Sequence, residues 1–327
     1  MIIPQLEAAA PRPNRPATLD AAVFGLIVAD LIAEGVDLRR PPSPGGLAIA
    51  HSITLTTGGN VCNAGIAMTR LGLKVGAAGF VGRDALGRAL LERMQLAGLD
   101  TSAVFEEASA QTSSTIVAVE PGGERCFFHV PGANVRLDAA AFRRCIPRFA
   151  QCAVLLIGYF GLLPQLTPEL PGLLLELRRA APHLKVALDT LNPPASPDLL
   201  EPILPHLDIF APSRPEAAAL TGEQKPERMA AVFRRHMKRG LLGIKLDAEG
   251  CYLDDGTRAV LIPAYNVQVV DTTGAGDSWF GGLLTGLLKG LSLERVGQLA
   301  NRVAADCCTA IGASAGLRSF EETLAAL

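Results

Sequence analysis

The chain has 327 residues, enough at about 150 per domain for two domains or for one large α/β core with an insertion. Hydrophobic residues make up 49% of it and charged residues 19%, below the usual share of about 25%, which excludes a disordered chain. A net charge of -2 excludes the large basic field that a nucleic-acid or anionic-membrane partner requires.

Aromatics are only 5%, so the core is expected to be built from Ala, Leu, Val and Ile, as in parallel sheets covered on both faces. Residues 1–20, with the Pro/Ala-rich stretch Ala8–Pro16, read as a flexible tail without a signal pattern, and 21–327 as the folded domain. Ala22–Val28 reads as the first strand. Residues 34–57 contain a period-two segment, Ala48–Leu55. A helix through Asn63–Leu71 leads into a strand at Val75–Val81. Within 112–132, Ser114–Glu120 and Arg125–Val130 flank Pro121-Gly122-Gly123-Glu124, the pattern of a hairpin. Strands at Val154–Ile157, Val186–Asp189 and Ile209–Ala211 follow, with helical apolar spacing over Leu173–Arg179. Strand alternating with helix predicts a mostly parallel sheet, and the period-two segments a small separate sheet lying as a lid over its C-terminal edge.

Seven cysteines, none in a C-x-x-C pair, predict free buried thiols and a reducing, cytoplasmic setting. The five histidines lack ligand-like spacing, so no zinc site is expected. No run of 18 apolar residues is present, so no membrane span is expected.

The segment most informative about chemistry is Val269–Leu284. It reads as a strand ending at Asp271, a Gly/Thr turn, and an apolar helix starting near Asp277. Amides of 274–277 would then point out of a helix N-terminus and form an anion site. A cap and a turn would explain Gly274-Ala275-Gly276-Asp277 on their own. A carboxylate beside an anion hole would repel a phosphate that was merely bound, but it suits a base that deprotonates a hydroxyl attacking that phosphate. The segment carries neither the Walker Lys-Ser/Thr nor the G-x-G-x-x-G dinucleotide fingerprint.

Asp271-Thr272-Thr273-Gly274-Ala275-Gly276-Asp277 resembles the C-terminal signature of the ribokinase-like (PfkB) carbohydrate kinases. Thr57-Gly58-Gly59-Asn60-Val61-Cys62-Asn63-Ala64-Gly65, continuing through Leu71–Gly87, resembles the N-terminal signature of the same family. The resemblance covers about residues 21–320. It implies a three-layer α/β sandwich with a mostly parallel central sheet and a small β lid. It implies transfer of the γ-phosphoryl of ATP, with Mg²⁺, to a hydroxymethyl group of a sugar. A nucleoside kinase and a catalytically impaired sugar binder are the alternatives, and a homodimer through the lid is a further expectation.

By resemblance, Asp277 is the base and Gly274, Ala275 and Gly276 form the anion hole. Asp30, Gly59, Asn60 and Asn63 are assigned to the sugar. Lys245, Gly250, Asn301, Ser213 and Glu216 are assigned to the nucleotide, Glu216 also supporting Mg²⁺. Asp271, Thr273 and Gly312 line up with positions that hold a monovalent cation, K⁺, in some members. Three departures stand out. Ser213 replaces an Asn, Asp247 replaces a Gly, and Asp189-Thr190-Leu191-Asn192-Pro193-Pro194 has no Arg where a related stretch has one. Tyr159 and Phe160 are expected either to stack on a ligand or to pack in the core, Asn134 to touch substrate or to form a turn, and Arg125 to be a solvated lid residue.

Overall fold

The computed structural model describes residues 19–327 except 41–42, 123, 192–196 and 238. The tail expected over 1–20 therefore lies almost entirely outside the described residues, as does Asn192 with the two prolines that follow it.

Thirteen strands are described in chain order: β1 (Ala21–Phe24), β2 (Val28–Glu34), β3 (Ser52–Gly58), β4 (Val75–Gly82), β5 (Asp100–Glu107), β6 (Ser114–Val119), β7 (Arg125–Val130), β8 (Val154–Ile157), β9 (Lys185–Leu188), β10 (Ile209–Phe210), β11 (Leu241–Lys245), β12 (Cys251–Asp254) and β13 (Ala259–Ile262). The α-helices are α1 (Asn60–Arg70), α2 (Ala85–Leu96), α3 (Ala139–Phe149), α4 (Leu170–Ala180), α5 (Arg214–Thr221), α6 (Pro226–Arg234), α7 (Ala275–Leu288), α8 (Leu293–Cys307) and α9 (Phe320–Ala325).

Nine strands form one sheet in the order β13-β12-β11-β10-β9-β8-β1-β4-β5. Every pair from β11 to β5 is parallel, and only β12 and β13 run antiparallel at one edge. Both faces are covered. Ala22 and Phe24 of β1 point into a core with α3 to α6, while Ala21 and Val23 point into a second core with α1, α2, α7 and α8. Alternate residues of one strand thus feed two apolar layers, which is why these strands read as unbroken hydrophobic runs. The remaining strands form a separate sheet, β3-β2-β6-β7, in which β2 and β6 are parallel and the other pairs antiparallel.

Three expected elements differ. The run Ala22–Val28 is two strands in two sheets, because the chain turns out of the main sheet at Gly25, where a Cβ would sit 2.1 Å from the Gly158 carbonyl oxygen. Asp30 therefore lies on a lid strand rather than at the end of a core strand. In the segment Ala48–Leu55, only 52–55 are strand, and β3 continues to Gly58. Val269–Asp271 forms no strand: the Val270 and Asp271 amides instead bond the Cys308 carbonyl at the end of α8, and α7 begins at Ala275, two residues earlier than expected.

All seven cysteines are free, and among the described residues no His/Cys/Asp/Glu cluster suits a metal ion. No described helix is long and apolar enough to cross a membrane.

Candidate active site

A cleft of about 830 Å³ separates the lid sheet from the main sheet. Asp30, Thr115 and His129 line it from the lid, Gly59 and Asn63 from the start of α1, Tyr159 from the end of β8, and Asp271, Thr273 and Gly274 from the loop entering α7. Segments far apart in sequence meet here because the C-terminal ends of parallel strands and the helix starts that follow them share one edge of the sheet.

Asp277 is buried in the first turn of α7. Its Oδ2 accepts hydrogen bonds from the Tyr159 hydroxyl at 2.5 Å and the Asn63 side-chain amide at 2.9 Å. Its Oδ1 is buried without a partner. An unpaired buried carboxylate oxygen is costly unless something else fills the position when the protein works. Burial pushes the Asp277 carboxyl above its ordinary range, with Tyr159, Asn63 and Lys245 pulling the other way. Tyr159 itself is pushed well above its usual range by burial and by the charge of Asp277, so it stays a proton donor. The amides of Gly276 and Asp277 precede the first intrahelical bond, from Ser278 N to the Gly274 carbonyl, whereas the Ala275 amide turns back to the Thr272 carbonyl at 3.2 Å. Gly274, at φ 74°, is the N-cap and occupies the left-handed region that favours glycine.

Asp30 projects from β2 into the cleft, opposite Thr115 of β6, which in turn faces His129 of β7. Thr115 Oγ1 lies 3.0 Å from His129 Nδ1. Burial raises the Asp30 pKa, offset in part by the Thr115 hydroxyl and by His129. Gly58 makes room for this carboxylate, since a Cβ there would stand 2.0 Å from Asp30 Oδ2.

On the other side of Asp277, the Lys245 ammonium donates to Asp189 Oδ1 at 2.7 Å, and both side chains are largely buried. Burial pushes Asp189 up, to about 7, against the pull of Lys245. At Lys245 burial lowers the pKa, but the carboxylates of Asp189, Glu216 and Asp277 outweigh it and keep the ammonium protonated. Lys245 Nζ faces the open side of Gly276, 3.6 Å from where a Cβ would be. Glu216 Oε2 accepts from the Ser213 amide at 2.7 Å and the Thr190 hydroxyl at 2.8 Å. Ser213 and Glu216 form the capping box of α5, so serine in place of the expected Asn serves as a helix cap.

The model of the pfkB family of carbohydrate kinases matches residues 18–319. The chain belongs to this family. It is 29% identical over 308 residues to a ribokinase of Haemophilus influenzae, covering 92% of this chain and 96% of that one. It is 32% identical over 301 residues to fructokinase-1 of rice, Oryza sativa subsp. japonica, covering 85% and 90%. The structure of Arabidopsis thaliana ribokinase complexed with ribose and ATP shares the fold, with a TM-score of 0.79 at 21% identity over 94% of this chain and 98% of that one. The pfkB protein described here is thus a sugar kinase, a phosphotransferase with an alcohol acceptor, built on the ribokinase-like fold.

Three residues assigned to ligands by resemblance, and Asn134, have their side chains or turns engaged elsewhere in this pfkB kinase. Asn60 caps the end of β1, its Oδ1 accepting from Leu26 N at 2.9 Å and its amide reaching the Phe24 carbonyl. Asn301 accepts from the Trp279 indole at 2.9 Å and donates to the carbonyls of Ile262 and Pro263. Gly250, at φ 102°, closes the turn between β11 and β12. Asn134 clamps Ile27, accepting from its amide and donating to its carbonyl. Asp247 is exposed, at the φ of 52° that explains why a glycine suits the position, so its carboxylate is not buried at the site.

Two residues carry more than sequence reasoning assigned them. Tyr159 is one: its ring sits at the ligand edge, but its hydroxyl holds Asp277, while the neighbouring Phe160 is core. Arg125 is the other. Expected as a solvated lid residue, it is about three-quarters buried, with its guanidinium on Asp271. The alternation of β7 puts Arg125, Phe127 and His129 on the same face, toward the cleft, and that periodicity is the one signal in the sequence that could have found it.

Proposed function

We propose that this kinase transfers the γ-phosphoryl of ATP to a hydroxymethyl group of a sugar, with Asp277 as general base. The observation that carries this reading is the carboxylate of Asp277, held on Oδ2 by Tyr159 and Asn63 with Oδ1 unpartnered, next to the free amides at the start of α7. A hydroxyl donating to Oδ1 would satisfy the orphan oxygen and hand over its proton as it attacks. The Gly276 and Asp277 amides and Lys245 would stabilise charge on the transferring group. Mg²⁺ bound with ATP would neutralise the phosphates, and Glu216, whose Oε1 is outside its two hydrogen bonds, would support it. Asp30, deep in the lid wall, would accept hydrogen bonds from other hydroxyls of the sugar. Free thiols at all seven cysteines suit a reducing compartment.

The test is an ATP-consumption screen over ribose, fructose, 2-keto-3-deoxygluconate, inositol and adenosine. Turnover with a sugar supports the reading, preference for adenosine would replace it with a nucleoside kinase, and tight sugar binding without turnover would make the protein a sensor.

Asp30→Ala is expected to raise the KM for sugar by about 10- to 100-fold, the equivalent of the roughly 1.5–3 kcal/mol of a charge-assisted hydrogen bond, with the KM for ATP unchanged. A shift confined to ATP would place the sugar elsewhere. Because burial holds Asp277 above the ordinary carboxylate range, the rate should fall on the acid side as pH drops through that raised pKa. Tyr159→Phe removes a donor that favours the charged form, so the acid limb of kcat/KM should move to higher pH. An unmoved limb would mean that the group titrating is not Asp277.

The outer face of the lid sheet exposes Ile53, Ile116 and Phe128, at 70%, 49% and 62%. A contiguous apolar strip of this kind supports a homodimer that pairs the two lids, which sedimentation of Ile116→Glu against the unmodified chain would test.

A further inference from the structure

In some relatives, the resemblance gives Asp271, Thr273 and Gly312 to a monovalent cation, and here those residues do not fit one. Asp271 Oδ2 accepts from the Gly312 amide at 2.8 Å, and Oδ1 from the Thr273 amide at 2.8 Å. The same Oδ1 lies 2.7 Å from Arg125 Nη1, which also donates to Thr273 Oγ1 at 2.8 Å. One guanidinium nitrogen therefore already takes the Asp271 carboxylate oxygen and the Thr273 hydroxyl at these positions. A second positive charge at the same oxygens would meet it at contact distance.

Arg125 is the first residue of β7, the edge strand of the lid sheet, whereas Asp271 and Thr273 belong to the loop that ends at the N-cap of α7. The contact thus bridges the lid and the anion-hole loop. Asp271 is almost fully buried and Arg125 about three-quarters so, which shields the pair from water and makes the charge-assisted bond a strong one. Burial alone would raise the Asp271 carboxyl, but the Gly312 and Thr273 amides, the Thr273 hydroxyl and the Arg125 guanidinium together hold it below its ordinary range.

We propose that Arg125 is a built-in cation: it substitutes for a monovalent ion at Asp271 and Thr273, and it fixes the anion-hole loop only when the lid lies over the cleft. This inference rests on the kinase reading above. It makes Arg125 a positioning residue, acting on the phosphoryl-transfer site through Asp271 and the Thr273–Gly274 backbone. It also makes the order of that loop depend on lid closure and not on the salt in solution.

The experiment compares the intact chain with Arg125→Ala and Arg125→Lys, each assayed in potassium and in tetramethylammonium buffers, with and without guanidinium chloride at millimolar concentration. The unmodified enzyme should run at the same rate in both salts, within about twofold. Arg125→Ala should lose about 10- to 100-fold in kcat, as expected for one charge-assisted bond. It should recover part of that loss with guanidinium or potassium, and Arg125→Lys should keep most of the rate. Amide hydrogen exchange supplies a readout independent of turnover: Thr273 and Gly312, whose amides bond Asp271, should exchange faster in Arg125→Ala while α8 does not change. Strong potassium activation of the unmodified enzyme would overturn the substitution, and unchanged exchange at Thr273 and Gly312 in Arg125→Ala would overturn the latch. If no sugar or nucleoside is turned over at all, the kinase reading fails on the unmodified chain, and the exchange data still decide the Arg125–Asp271 contact.

Discussion

Asp277→Asn is expected to lower kcat by about 10²–10⁴, the usual contribution of a positioned general base, while leaving nucleotide affinity nearly unchanged. The substitution is nearly isosteric. An amide oxygen in the place of Oδ2 still accepts from Tyr159 and Asn63, which hold the side chain from 118 and 214 residues earlier in the sequence. What changes is the atom at the Oδ1 position, buried and unpartnered in this structure. A carboxylate there takes a proton, and an amide nitrogen cannot. Removing the charge of Asp277 also removes repulsion toward an incoming phosphate, so ATP should bind at least as well as before. The measurement is single-turnover kinetics with saturating sugar and ATP, alongside calorimetric binding of the nucleotide. A variant that keeps most of its kcat would remove Asp277 from the role of base, whatever the sugar proves to be.

The α/β class, the lid sheet and the cleft at the strand ends were legible because apolar periodicity reports burial directly: two-sided burial of β8 and β9 gives unbroken runs, and half-burial of β6 gives alternation. Legibility stopped where the chain changes sheet without changing composition. Ala22–Val28 is uniformly apolar, yet the backbone turns at Gly25, and only the crowding by Gly158 and Asn60 shows why. The same limit applies to side-chain roles. The spacing that matched Asn60 and Asn301 to ligand positions cannot reveal that both are consumed by backbone and indole hydrogen bonds. Nor can it reveal that Asn63, expected on the sugar and lining the cleft, also holds the Asp277 carboxylate. Tyr159 and Arg125 were missed for a related reason. Each acts across a gap of more than a hundred residues, to Asp277 and to Thr273, and a partner at that range is set by topology, which local pattern does not encode.

Lys245→Met is expected to have two separable effects, one on stability and one on catalysis. Lys245 and Asp189 form a buried pair at 2.7 Å, and removing one partner of such a pair costs about 3–5 kcal/mol because the other is left uncompensated. The loss should depend on pH with a definite sign. Burial already raises Asp189 to about 7 with Lys245 present, and without the ammonium its carboxyl must go higher. A folded-state pKa raised above the unfolded value favours folding most below the ordinary carboxylate range, and that advantage is lost as pH rises through the raised value. Denaturant midpoints of Lys245→Met should therefore lie closest to those of the unmodified chain near pH 4 and furthest from them above pH 7. A second substitution, Asp189→Leu, removes the stranded carboxyl, and the apolar pair should recover most of the stability. Activity should not come back with it. Lys245 Nζ lies on the open side of Gly276, beside the free amides of α7, where it would meet the transferring phosphoryl group. Losing one such donor to developing charge costs about 10²–10³ in kcat. If the doubly substituted chain regains both stability and rate, Lys245 serves only to neutralise Asp189, and the phosphoryl group is stabilised by the backbone amides without it.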